Sequence, residues 1–175
     1  MERLFLFATL AGTRIAVETS EVEAVVRLND VSPVPGMGAH IAGLSALRSR
    51  VLTIIDVAAL IHGVASPRVE RGLAIIADIS GHSYGLMVDG VTDICRVPEG
   101  ELPLRGQIDP AWTPYARAIV EHEGHPWLLV SLAAFIEGGA LAQAAWPADA
   151  PGFATNRIIL PASFTNCLAL VVKPS

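Results

Sequence analysis

Histidine, cysteine, serine, aspartate and arginine are the side chains through which this chain could do chemistry, and their spacing decides which kind. His122-Glu123-Gly124-His125 places two imidazoles three residues apart with a glycine between them. A zinc-protease motif needs its histidines four apart on a helix face, so the run reads as the turn of a surface hairpin. Asp89-Gly90 and Asp93 gather carboxylates without the loop length or terminal glutamate of a calcium-binding hand, and Asp89 reads as a helix cap. Ser45, Ser49 and Cys95 would each need a base oriented by a third group to act as nucleophiles, and no pattern supplies one. Gly36-Met37-Gly38 follows a proline and lacks the flanking strand and helix of a phosphate loop. Cys95 and Cys167 show neither metal nor redox spacing, the pattern of a reduced chain. No metal, no cofactor and no enzymatic activity are expected.

Arginine is different. Arg48-Ser49-Arg50 puts two guanidinium groups at a turn beside a strongly apolar region. An arginine held there presents a planar fork suited to a carboxylate or to backbone carbonyls on a partner. The elements that must position it are legible in Ile41 to Gly63. Val51-Leu52-Thr53-Ile54-Ile55 is an unbroken run of β-formers, as in a strand covered on both faces. Asp56 is placed to cap the helix of Val57-Ala58-Ala59-Leu60-Ile61, and Gly63 to stop it.

At 175 residues and 52% apolar, with mean hydropathy +0.50, the chain can bury a core without disulfides or metal. No window reaches the roughly 18 uninterrupted apolar residues of a membrane span. Arg14 and the alternation after it make the amino-terminal apolar run the first arm of a hairpin rather than a cleaved signal. A net charge of −5 argues against nucleic acid as a partner, because backbone binding needs a concentrated positive surface.

The chain also repeats itself. Gly12 and Gly81 lie 69 apart, and the same shift brings Ser20 onto Asp89, Val22 onto Val91, Val25 onto Ile94 and Arg27 onto Arg96. Further on the shift becomes 75, bringing Asp56 onto Ser131, Ile61 onto Ile136 and the helix-stopping Gly63 onto Gly138. The extra length falls in the Pro98 to Pro114 loop. Each half is read as short strands with a small helix, the first-half helix capped by Ser20 and carrying Val22, Val25 and Val26 on one face. Two such units predict paired β-barrels rather than a βαβ sheet. Cys167 to Val172 is a candidate strand for a barrel edge.

Three segments carry a family resemblance. Gly43, Leu47, Arg48, Val51, Ile54, Ile55 and Asp56 match the central motif of the CheW-like adaptor family, with Ala46, Ser49 and Thr53 standing where that family has Asn, Gly and Pro. Tyr84 to Ile94 resembles its Gly-Leu-Val-Val-Asp-x-Val segment, and Trp127 to Ile136 its closing strand and helix, with Ser131 in place of the usual Asp. The resemblance implies a mainly β fold of two pseudo-symmetric, five-stranded SH3-like barrels, intertwined over residues 1–138, followed by an extension over 139–175 outside the family pattern. It also implies a non-catalytic cytoplasmic adaptor between a methyl-accepting chemoreceptor's cytoplasmic tip and the regulatory domain of a CheA-type histidine kinase. Arg48, Gly43, Val22, Val25, Leu73, Val91 and Ile94 are the expected partner-binding positions, the valines and Ile94 lining a groove between the barrels. Two alternatives stand beside this reading: a ligand- or peptide-binding barrel with a pocket lined by Trp112 and Tyr115, and a divergent relative in another signalling pathway.

Overall fold

The computed structural model describes residues 3–64, 66, 72–98, 102–104, 108–143 and 169–170. In chain order the elements are β1 (Arg3–Leu10), β2 (Thr13–Glu18), a 3-10 turn (Thr19–Glu21), β3 (Ala24–Leu28), β4 (Ile41–Leu47), β5 (Arg50–Ile55) and α1 (Val57–His62). There follow β6 (Gly72–Ile79), β7 (His82–Val88), β8 (Gly90–Val97), β9 (Ala116–His122), β10 (His125–Val130), α2 (Leu132–Gln143) and β11 (Ala169–Leu170).

The repeat read from the sequence governs these boundaries. A shift of 69 carries β1 onto β6, and a shift of 75 carries β4 and β5 onto β9 and β10. Even the turns repeat: Ala11-Gly12 and Ser80-Gly81 both place two positive φ angles between their strands. That backbone twist suits a two-residue hairpin, and glycine takes the second position without a steric penalty.

Pairing exchanges the halves. One sheet runs β8-β1-β2-β10-β9, and the other β3-β6-β7-β5-β4 with β11 outside β3. Each half therefore lends its first hairpin to the three remaining strands of the other. In both sheets the same joint is parallel, β2 with β10 and β7 with β5. The result is two intertwined SH3-like barrels in a mainly β chain.

Three apolar clusters fill this arrangement. Phe5, Phe7, Ala16, Val120, Trp127 and Leu129 pack inside the first barrel, and Val26, Leu28, Leu52, Ile54 and Ile76 inside the second. Between them lies a larger cluster that includes Leu6, Leu10, Ile15, Ile55, Ile75, Leu86 and Phe135. Alternate residues of β1 thus face a barrel interior and the central cluster, which is why Leu6, Phe7 and Ala8 are all fully buried in succession. Each large side chain so buried contributes roughly 1.5–3 kcal/mol.

Several expectations need correction. Val22, Val25 and Val26 lie on no helix: a 3-10 turn ends at Glu21, and Val25 and Val26 belong to β3. Alternating neighbours cover both faces of that strand, and β-branched side chains favour it over a short helix. Asp89 caps no helix either; its carboxylate accepts from the Gly12 amide at 2.9 Å, and its own amide donates to the Thr9 carbonyl at 2.8 Å, tying the two halves together. Val51 is 45% exposed, so β5 is covered on both faces only further along, at Leu52, Ile54 and Ile55. Gly138 does not stop α2, which runs on to Gln143. A Cβ there would meet the Tyr115 ring at 3.3 Å, so this glycine serves close packing rather than termination. Of the candidate tail strand, Ala169–Leu170 pairs with Val26 and Val25 on the β3 edge, and its other residues lie outside those described.

Candidate partner-binding surface

Asp56 accepts from the Ala59 amide at 3.1 Å and from Ser66 through both its amide and hydroxyl, while Gly63 closes α1 at φ 70°. These contacts anchor the end of β5, and the β4–β5 hairpin projects from the other end. Its turn differs from the other three. The Glu123-Gly124 turn, like the two above, has positive φ at both residues, whereas here φ is positive only at Arg48, at 56°. Ser49 occupies the second place, where a side chain resists that conformation.

Arg48 is exposed at this tip, with no hydrogen bond or ion pair among the described residues. Arg50 is engaged instead, 2.8 Å from Glu23 and 3.6 Å from Asp78. Beside Arg48, Val51 adds exposed apolar surface. The hairpin tip therefore combines an uncommitted guanidinium with an apolar side chain.

The remaining expected positions differ in access. Val22 and Val25 are only 8% and 5% exposed and belong to the central core, whereas Leu73, Val91 and Ile94 are half-buried against its margin. Gly43 is buried within β4 at φ 150°, and a Cβ there would strike the Ser32 carbonyl. The close approach serves a two-bond bridge: Ser32 and Leu44 exchange amide-to-carbonyl bonds at 2.8 Å. Ser45 donates to the Asp30 carbonyl at 2.8 Å, holding the same segment from the next position. Gly43 and Ser45 act on the backbone.

The pocket imagined under the Pro98 to Pro114 loop is largely packed. Trp112 and Tyr115 are 4% and 9% exposed and pack on Phe135, the tyrosine stacked at 4.2 Å and the tryptophan edge-on at 6.2 Å. Burial pushes the Tyr115 hydroxyl up from its ordinary pKa. What remains nearby is an open depression edged by Trp112, Arg14 and Trp127.

Two features escaped sequence reasoning because they join distant residues. The first is the start of α2, where Ser131 replaces the aspartate of the first half. Glu21 supplies the missing carboxylate from the 3-10 turn, accepting from the Leu132 amide at 2.8 Å and from the Ser131 hydroxyl at 3.2 Å. The Arg117 guanidinium donates to the same carboxylate at 3.2 Å. The second is Cys95, whose sulfur lies 3.5 Å from His122 Nδ1 and 3.8 Å from Nε2, with an Asp93 carboxylate oxygen 3.4 Å from Nε2. Burial, reinforced by the Asp93 and Glu123 charges, pushes this thiol up. A thiol so held is the opposite of an activated nucleophile. The His122–His125 turn itself is the hairpin expected.

No helix among the described residues is long and apolar enough to cross a membrane. The chain is similar to proteins named Chemotaxis protein CheW, at 23% identity over 70% of this chain and 80% of the Thermotoga maritima protein, and at 30% identity over 58% and 66% for that of Rhizobium meliloti. In fold it resembles the crystal structure of the scaffolding protein TtCheW from Thermoanaerobacter tengcongensis, with TM-score 0.64 and 20% identity, covering 75% of this chain and 86% of that one. A family model described as CheW-like domain matches residues 4–139, the span that contains both barrels, and the chain belongs to that family.

Proposed function

We propose that this chain is a non-catalytic cytoplasmic adaptor that joins the cytoplasmic tip of a methyl-accepting chemoreceptor to the regulatory domain of a CheA-type histidine kinase. Family membership and relatives named for chemotaxis support the class of function. The observation that carries the reading to particular residues is the β4–β5 tip, where Arg48 is exposed and uncommitted beside Val51. An unpaired, exposed guanidinium close to an apolar side chain suits a protein partner offering a carboxylate or backbone carbonyls. Leu73, Val91 and Ile94 supply half-buried apolar surface between the barrels, with Val22 and Val25 supporting it from the core and Gly43 shaping β4 beneath the tip. A net charge of −5 disfavours nucleic acid.

The packing of Trp112 and Tyr115 into the core disfavours a small-ligand barrel. Co-purification from the native cell with a full-length CheA-type kinase tests the proposal. Recovery of the kinase in stable proportion supports it; its absence alongside a saturable small-molecule stabilisation of the chain would overturn it.

A further inference from the structure

We propose that Asp93, Cys95 and His122 form a zinc-binding site that fastens the seam of the first barrel. β8 and β9 are the outer strands of the five-stranded sheet. Asp93 and Cys95 are two apart on β8 and so share a face, opposite Phe7 and Phe5 of β1. His122 ends β9, and its contact with Cys95 spans the two sheet edges. Curling of the sheet, rather than proximity in sequence, brings the three together.

Their geometry fits one ion. The ligand atoms all lie within 4.8 Å of one another. A tetrahedral zinc with Zn–N and Zn–O of about 2.0–2.2 Å and Zn–S of about 2.3 Å sets its ligands roughly 3.3–3.6 Å apart. From His122 Nε2, the Asp93 oxygen lies at 3.4 Å and the Cys95 sulfur at 3.8 Å; the sulfur is slightly nearer Nδ1, at 3.5 Å, so closure on an ion held by Nε2 requires the thiol to swing toward the Asp93 side. The imidazole is already oriented, stacked on Phe7 at 4.3 Å with Trp127 edge-on to the same phenyl ring at 5.1 Å. One sulfur, one nitrogen and one oxygen form a borderline-soft set that favours zinc over magnesium or calcium. Asp93 is 47% exposed, leaving a path for entry and a fourth position for water.

The site is independent of the adaptor reading. Its test is titration of the full-length, reduced chain with cobalt(II) as a spectroscopic probe, followed by displacement with zinc. The expected result is a thiolate-to-cobalt charge-transfer band that saturates at about one ion per chain, as three ligands on one centre require. Cys95→Ser should abolish the band. His122→Gln and Asp93→Asn should each weaken binding more than about tenfold, the least that even an outer-shell partner's loss costs. Zinc should raise the melting temperature of the wild type and of Cys167→Ser, but not of Cys95→Ser. A missing band, a band that survives Cys95→Ser, or one lost in Cys167→Ser would overturn the proposal. His122→Gln and Asp93→Asn keep the test decisive should Cys95→Ser fail to fold.

Discussion

Glu21 shows how one residue compensates for another far away. In the first half the carboxylate at the helix start is Asp56; in the second it arrives from Glu21, 111 positions before the amide it caps. Glu21→Ala should therefore destabilise the chain by roughly 1.5–3 kcal/mol, the range for hydrogen bonds to a charged group. Adding Ser131→Asp should recover most of the loss, because it restores the local cap. Thermal melts of the single and double variants check this, and additive destabilisation would contradict it. Ser49 offers a second test at this scale. Ser49→Gly should stabilise the β4–β5 turn by about 0.5–1 kcal/mol, since glycine can adopt the positive φ found at the other three turns. An unchanged or lower denaturation midpoint would show that the serine turn is already relaxed.

At the scale of elements, Gly43 links a backbone requirement to the functional tip. Alanine there needs φ 150° and meets the Ser32 carbonyl. Gly43→Ala should cost more than about 2 kcal/mol, as strain and the loss of the Ser32–Leu44 bridge add. Gly90→Ala, with open space at its Cβ, should change stability by less than about 0.5 kcal/mol. Equal melts for the two variants would contradict this account of β4. The strands β1, β2, β5, β6, β7 and β10, the hairpin turns and the Asp56 cap were legible in sequence, because each depends on neighbours within a few residues. The valines at 22, 25 and 26 were misread as helical because their spacing fits a helix face, while the burial that makes β3 a strand comes from β6, the central cluster and the second barrel. Asp93, Cys95 and His122 were invisible as a group for the same reason: the separation of 27 positions from Cys95 to His122 carries no spacing signal.

For the whole molecule, the repeat revealed two similar units but not their exchange of hairpins. Pairing of β1 with β8 and of β3 with β6 crosses between halves, a choice made by long-range packing that no local pattern records. It follows that neither half holds a complete barrel. Residues 1–66 and 67–175, produced separately, should each lack a cooperative melt, and mixing them should restore one. A cooperative melt from either fragment alone would contradict the exchanged topology. The same topology carries the surface between the barrels, because Leu73, Val91 and Ile94 of the second half pack on a core shared with Val22 and Val25 of the first.

The adaptor reading is tested most directly by titrating the kinase regulatory domain and a receptor-tip fragment against the wild type, Arg48→Glu and Arg50→Glu, with circular-dichroism melts of each. Arg48 is exposed and makes no hydrogen bond or ion pair among the described residues, so its reversal should leave the melt unchanged. Loss of a charge-assisted bond costs roughly 1.5–3 kcal/mol, and repulsion adds to it, so Arg48→Glu should weaken assembly more than about tenfold. Arg50 is 56% exposed in a surface pair with Glu23, and its reversal should change binding by less than about 1 kcal/mol. Binding by Arg48→Glu equal to that of the wild type, with the fold intact, would contradict the account.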